Sequence, residues 1–474
     1  MATRRQILTS LGATTMAASL TGTARAVESA CNGKTVIPKR ILGRTGHMVT
    51  PLALGGQAAL QRTPAGVDAP DIIVRAVELG VNYLDTANAY DPSQLHYGEA
   101  FRRLHLVPGR PGYDAALRDR LFLASKTTER FARDPAQSSD QTAVDDLKRS
   151  LTQIFGDGKG SIPEGAYLNS IQMHNVSSFE DVKQLYIGMN ERGGKMPAQI
   201  GAFAALLDYR DGTNYTGLNP DHRRWVRHVG VTGHLSSPVL MRMLRLDAGN
   251  NLDTLLVALN VCDKLYLPHQ TNVLPLAVAR GMGVIAMKLF ADGVFFFGKP
   301  ARVSNNPADL VTSVGKPGSL SYRELIRYTV SLPGVSCAVI GIGHIDRKDP
   351  TKDQLVANLA AAIDEPMTPQ EREKLEKEAA AKYGVTTNYF QEPAKGLVQP
   401  TDVKVTKSAD RAIVSWNAGY AGAKPIRSWQ IRSGSKILLT IPFRPQLTMV
   451  PLTAYISAEQ ASHGKIEVVA SETI

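Results

Sequence analysis

Two kinds of segment alternate along residues 51–358. Eight short apolar, β-prone runs occur at 51–55, 81–85, 121–126, 168–174, 228–232, 255–260, 284–288 and 337–341. Between them lie amphipathic stretches. The stretch 71–79 carries Ile72, Ile73, Val74, Ala76, Val77 and Leu79, and 142–155 carries Val144, Leu147, Leu151 and Ile154. That spacing is close to the helical period of about 3.6 residues. Residues 321–332 and 353–363 read the same way. The strand-like runs are continuously apolar rather than alternating, which predicts a parallel sheet buried on both faces. Strand then helix, repeated eight times, predicts an α/β fold, a closed (β/α)8 TIM barrel. No GxGxxG follows the first run, which argues against a dinucleotide-binding open sheet.

The flanks add three features. Gly43 and Gly46 in 40–50 have the spacing of a hairpin turn, expected to close the bottom of the barrel. The stretch 368–382 predicts a helix, with Thr368 as cap, Pro369 at its first position and Glu371 completing a capping box. Residues 383–400, with Gly384, Pro393, Gly396 and Pro400, read as a linker. Short β-rich runs at 403–406, 412–416, 426–432, 437–441, 453–457 and 465–469 then predict a small all-β sandwich over 401–474.

Composition narrows the class. A chain of 474 residues exceeds one ordinary domain, and 43% hydrophobic with 20% charged residues is globular. The net charge of +11 invites a nucleic-acid reading. The basic residues, however, are scattered among acidic ones and adjoin only as pairs such as Arg102-Arg103 and Arg223-Arg224, so a solvated basic surface is expected, with no nucleic-acid partner. Residues 1–26 read as a targeting segment: Arg4-Arg5, a weakly apolar stretch, then Ala24-Arg25-Ala26 at a cleavage site. This looks like a twin-arginine export signal, implying a soluble periplasmic or otherwise exported protein with no membrane span. That route carries folded proteins, so a cofactor would be loaded before export. Cys31, Cys262 and Cys337 show no metal or CxxC spacing, and the last two read as small core residues.

The candidate chemistry lies at the C-terminal ends of three runs, the barrel face where active sites are built. Asp85 and Tyr90 lie in LDTANAY, Lys126 ends LFLASK, and His174 ends IQMH. A lysine beside a tyrosine lowers the phenol's pKa, and a phenol so tuned can donate a proton to a reacting carbonyl oxygen. His96, His105, His234, His269 and His344 show no paired metal spacing, so no metal is expected.

These motifs resemble the aldo-keto reductases over most of 39–382. RILGRTGHMVTPLALGG is similar to that family's N-terminal hairpin and first strand, LGVNYLDTANAY to its aspartate–tyrosine segment, and FLASK and SIQMH to its lysine and histidine segments. VALNVCD, VLPLAVARGMGVIAMK and SLPGVSCAVIG are similar to an exported bacterial branch. The resemblance implies Tyr90 as proton donor, Lys126 lowering its pKa, Asp85 holding Lys126, and His174 orienting the carbonyl. It implies NADP, with NAD as the alternative, as cofactor, held by Thr232, Asn260, Lys288, Gly341, Gly343 and Asn358. Thr232-Gly233-His234 stands where the family has Ser-Asn and an aromatic, so the carboxamide grip departs from the pattern unless His234 replaces the Asn. Gln354 stands where many NADP-specific members have Arg; Arg347, Lys348 and Lys352 nearby are either 2′-phosphate partners or ordinary loop charges. The expected substrate is a small-molecule aldehyde, ketone or sugar-like carbonyl, with 104–119 and 291–320 shaping its pocket. The alternative is a nucleotide-binding sensor or scaffold without turnover. Trp416 and Pro425-Ile426 leading into Trp429 resemble a fibronectin type III module, a candidate docking site for a partner or glycan.

Overall fold

The computed structural model describes residues 37–136, 142–265, 268–297, 320–383, 396–462 and 464–473. The export-signal segment 1–26, Cys31 and most of the linker fall outside the described residues.

The barrel strands are β1 (Leu52–Gly55), β2 (Tyr83–Asp85), β3 (Phe122–Thr127), β4 (Leu168–Met173), β5 (Val226–Gly233), β6 (Leu252–Ala258), β7 (Gly283–Met287) and β8 (Val335–Gly341). Every neighbouring pair is parallel, and β8 pairs back onto β1 to close the ring. Strands β1 to β4, β6 and β7 are buried at every position, as continuous apolar runs require. The crossover helices are α1 (Ala69–Glu78), α2 (Ser93–Arg103), α3 (Ala143–Ile154), α4 (Ala202–Asp211), α5 (Ser237–Leu246), α6 (Val273–Ala279), α7 (Tyr322–Val330) and α8 (Gln354–Ala362). Their starts are chemically marked. Asp68 caps α1, Thr142 and Asp145 form a reciprocal box on α3, and Asp353 caps α8. The extra helix α9 (Pro369–Tyr383) begins with the predicted Thr368–Glu371 box.

Two apolar layers hold this architecture. Leu42, Ala53, Tyr83, Phe122, Leu256, Ile285 and Cys337 belong to one buried cluster, to which six barrel strands and the N-terminal hairpin contribute. A larger layer between strands and helices includes Ile72, Phe101, Leu147, Phe203, Leu240 and Ile326. The N-terminal hairpin pairs Arg40–Ile41 with Met48–Val49 and packs against the start of β7. A Cβ on Gly43 would stand 2.2 Å from the Gly283 nitrogen, so this approach requires glycine. Cys262 and Cys337 are buried free thiols.

One expectation is corrected. Residues 104–119 do not shape the pocket at the C-terminal face; they connect α2 to the start of β3. Arg118, fully buried, donates to the Asn169 side chain (2.9 Å) and the Tyr167 carbonyl (2.8 Å) at the head of β4. A helix-to-strand connection must deliver the chain to the strand's N-terminal end, the face opposite the active site.

The C-terminal strands are β9 (Thr401–Lys407), β10 (Arg411–Asn417), β11 (Ser428–Ser433), β12 (Lys436–Pro442), β13 (Leu452–Ser457) and β14 (Ile466–Ser471). They form two antiparallel three-stranded sheets, ordered β9-β10-β13 and β12-β11-β14. Both sheets bury side chains in one core around Trp416 and Trp429, whose rings meet edge-on at 6.4 Å. The Asn272 side chain docks this unit on the barrel: it donates to the Ala421 carbonyl (3.1 Å) and accepts from the Ala421 nitrogen (2.8 Å). Arg245 Nε adds a bond to the Gln446 carbonyl (3.0 Å).

Candidate active site

Parallel pairing brings the ends of β2, β3 and β4 side by side, and with them Asp85, Lys126 and His174. Lys126 Nζ donates to the Asp85 carboxylate and to the Thr86 carbonyl, the latter at 2.8 Å. Both side chains are almost wholly buried. Burial raises the Asp85 carboxyl pKa and lowers that of the Lys126 ammonium; their mutual attraction opposes both. Tyr90 follows β2 on a short loop. The Lys126 ammonium lies 4.8 Å from the centre of its ring, and its hydroxyl lies 3.3 Å from His174 Nε2. Lysine, phenol and imidazole thus converge.

The protonation of His174 follows from its surroundings. Burial, then the positive charge of Lys126, push its pKa well below the usual histidine range, so the ring is neutral near pH 7. Nδ1 is buried and has no hydrogen-bond partner among the described residues. A proton there would be a buried donor without an acceptor, which costs about 1–3 kcal/mol. The tautomer with the proton on Nε2, beside the Tyr90 hydroxyl, is favoured. His234 is likewise neutral, its pKa lowered to about 3 by burial and then by the charge of Lys288. Its Nδ1 lies 2.8 Å from Asn175 Oδ1.

A pocket opens from Asp85 and Tyr90 and runs past β1, β7 and β8 to Gln354 and Asn358. Four of the six expected cofactor residues line it: Lys288, Gly341, Gly343 and Asn358. Asn358 is 3% exposed, and its Nδ2 has no hydrogen-bond partner among the described residues. A buried amide donor with nothing to bond, on the wall of a pocket, fits an acceptor such as an adenine ring nitrogen.

Thr232 and Asn260 are not among the residues lining this pocket. The Thr232 hydroxyl accepts the Asn175 backbone N–H at 2.8 Å, and the residue is fully buried. The Asn260 side chain accepts from the Cys262 nitrogen at 2.9 Å and donates to the Lys288 carbonyl at 3.4 Å. Its short amide closes a local turn. Nor is Arg347 available to a 2′-phosphate: it forks onto Asp71 and reaches Glu78, all at 2.6–2.9 Å. Lys352 pairs with Asp349, and Gln354 accepts the Gly343 N–H at 2.9 Å. Lys288 Nζ donates to Asp292 at 2.7 Å, beside the pocket. The sequence did not single out Gln57, Gln61 and Arg62 in the loop after β1, or Phe290 after β7, yet all line the pocket, as does Phe296 from the expected stretch 291–320. Only their position after strand C-termini distinguishes them. Of the expected pocket-shaping stretch 291–320, residues 298–319 lie outside the described residues. Among the described residues no cluster of three His, Cys, Asp or Glu side chains could hold a metal, and no helix is long and apolar enough to cross a membrane.

The profile described as Aldo/keto reductase family matches residues 51–159, a segment that includes Asp85, Tyr90 and Lys126. No curated protein matches. Among solved structures, a candidate aldo-keto reductase from Pseudomonas aeruginosa is 21% identical over 69% of this chain and 94% of its own, with a TM-score of 0.41. An aldo-keto reductase from Bacillus halodurans is 19% identical over 74% of this chain and 100% of its own, with a TM-score of 0.45. An aldo/keto reductase from Klebsiella pneumoniae, in complex with NADP and acetate, is 18% identical over 75% of this chain and 99% of its own, with a TM-score of 0.44.

Proposed function

We propose that the chain is an NADP-dependent oxidoreductase of the aldo-keto reductase type, acting on an aldehyde, ketone or sugar-like carbonyl or on the corresponding alcohol. The observation that carries this reading is the convergence of a buried Asp85–Lys126 pair, the Tyr90 hydroxyl and neutral His174 at one end of a pocket. The family-profile match over 51–159 supports it. The nucleotide, when bound, supplies the hydride. Lys288 and Asn358 would hold it, with the backbone of Gly341 and Gly343 alongside.

The chain's own residues handle the proton. A reacting carbonyl oxygen seated between Tyr90 and His174 meets two donors, the phenol and His174 Nε2–H. Negative charge develops on that oxygen as it is reduced, and donors already in place stabilise it without reorganisation. Tyr90 gives its proton and becomes a phenolate, which the nearby Lys126 ammonium favours by charge. Asp85 keeps that ammonium charged in a buried place. In alcohol oxidation the phenolate takes the proton back.

Export with nucleotide already bound belongs to the same reading, supported by Arg4-Arg5 and the small residues at 24–26. A periplasmic fraction yielding protein without residues 1–26 would test it. The fibronectin type III-like identity of the C-terminal unit is also proposed, supported by its two antiparallel sheets around Trp416 and Trp429.

The deciding experiment follows loss of NADPH absorbance with a panel of aldehydes, ketones and sugars. Tyr90→Phe should lower kcat by about 100-fold or more and leave NADPH affinity within about twofold. Full activity in that variant refutes the assignment. Tight NADPH binding with no turnover on any carbonyl would instead favour a sensor.

A further inference from the structure

Behind the Tyr90–Lys126 pair four buried polar side chains close into a ring. Gln94 Nε2 donates to Asn88 Oδ1 at 3.2 Å, and Asn88 Nδ2 donates to Ser150 Oγ at 2.9 Å. The Ser150 and Ser125 hydroxyls lie 3.0 Å apart, and Ser125 Oγ donates to Gln94 Oε1 at 3.0 Å. None of the four is more than 5% exposed. Each comes from a different element: Asn88 from the loop carrying Tyr90, Gln94 from α2, Ser125 from β3 next to Lys126, and Ser150 from α3.

The Ser125 proton goes to Gln94 Oε1, and Ser150 Oγ also faces the Asp146 carbonyl at 2.9 Å, so the single Ser150 proton is shared between that carbonyl and the Ser125 hydroxyl. The four side chains thus form a closed set of buried contacts that joins four elements around the Tyr90 loop. Asn88 Nδ2 also faces the Lys126 carbonyl (3.1 Å) and the Asp146 carbonyl (2.9 Å). A flipped amide would set oxygen against oxygen there, so this orientation is fixed. The Asn88 backbone N–H adds a bond to the same Lys126 carbonyl at 3.2 Å. Asn88 is therefore tied by backbone and side chain to the residue whose charge serves Tyr90, two positions before Tyr90 itself.

We propose that the Asn88–Gln94–Ser125–Ser150 ring is a positioning network that fixes the Tyr90 loop against Lys126, with Asn88 as its principal member. It rests on the reading of Tyr90 and Lys126 as the reacting pair. A loop of four residues between Asp85 and Tyr90 has no regular structure to hold it. Its bonds to β3, α2 and α3 do so, and a misplacement of about 1 Å in a reacting group costs roughly 100-fold in rate. None of the ring residues touches the pocket, so they act through Tyr90 and Lys126.

The test is Asn88→Ala in the full chain, with kcat from NADPH oxidation, nucleotide Kd from NADPH fluorescence, and Tm. The expected result is a fall in kcat of roughly 10- to 100-fold with Kd within about twofold. Wild-type kcat in a variant with lowered Tm would assign Asn88 a structural role only and overturn the proposal. Should Asn88→Ala fail to fold, Gln94→Met keeps the volume and removes the donor to Asn88 Oδ1 and the acceptor of the Ser125 proton. It should lower kcat roughly tenfold, and unchanged kcat overturns the proposal equally. Tyr90→Phe separates the two ideas. If it abolishes turnover while the ring variants do not slow it, the ring inference fails alone; if it does not, the reading beneath it has failed.

Discussion

Replacing Asp85 with Asn probes the most heavily buried charge pair in the molecule's candidate site. The ammonium of Lys126 would keep its bond to the Thr86 carbonyl but lose the only carboxylate it touches among the described residues. Removing one partner of a buried ion pair costs about 3–5 kcal/mol. An independent ceiling agrees. The stranded ammonium can shed its proton, and from an ordinary lysine pKa of 10.5 to pH 7 that costs about 5 kcal/mol, roughly 1.4 for each of about 3.5 pH units. A sign follows as well. With Asp85 gone, the folded-state pKa of Lys126 lies further below its unfolded value. In that window the unfolded chain binds more protons, so stability rises with pH. The variant's deficit against the parent should therefore be about 3–5 kcal/mol at pH 7 and shrink toward pH 10. Urea unfolding followed by helical circular dichroism reads it, because the described α-helices all lie in the barrel half of the chain. A deficit below about 1 kcal/mol at pH 7, or one equal at both pH values, would refute the reasoning. The variant should also lose turnover, since a neutral lysine cannot favour the phenolate.

Further outcomes follow from other groups. Burial raises the Asp146 carboxyl pKa to about 6, and the group is 2% exposed, so the folded state holds its proton more tightly than the unfolded chain does. Stability from this group is full below pH 4 and is lost as pH rises through about 6; Asp146→Asn should remove that dependence and gain up to about 3 kcal/mol at pH 7, measured by urea unfolding at pH 4 and pH 7. A variant as pH-dependent as the parent would count against it. Arg347→Ala should leave NADPH Kd within about twofold, because the guanidinium is committed to Asp71 and Glu78, and should cost no more than about 1 kcal/mol at this half-exposed site. A tenfold loss of NADPH affinity would instead place Arg347 at the nucleotide.

Local pattern was enough for the barrel. Continuous apolar runs and helical spacing mark all eight strands to within a few residues, and the capping residue Thr368 marks a helix start, because both signals arise from neighbours in sequence. The residue types and strand-end positions of Asp85, Tyr90, Lys126 and His174 were legible for the same reason. What the sequence could not reveal was how long-range pairing spends each polar group. The fold turns the Thr232 and Asn260 side chains to backbone groups at Asn175, Cys262 and Lys288, contacts that no spacing in the sequence announces. Arg347 looks like a phosphate partner until α1 brings Asp71 and Glu78 against it. The ring through Asn88, Gln94, Ser125 and Ser150 draws on residues up to 62 positions apart, and no spacing rule links them. Sequence by itself determined which elements form and which chemistry they carry, since these depend on local propensity and burial. Only the tertiary structure decided which of the polar groups remain free to act, because that is settled by whichever partner packing places within hydrogen-bond reach.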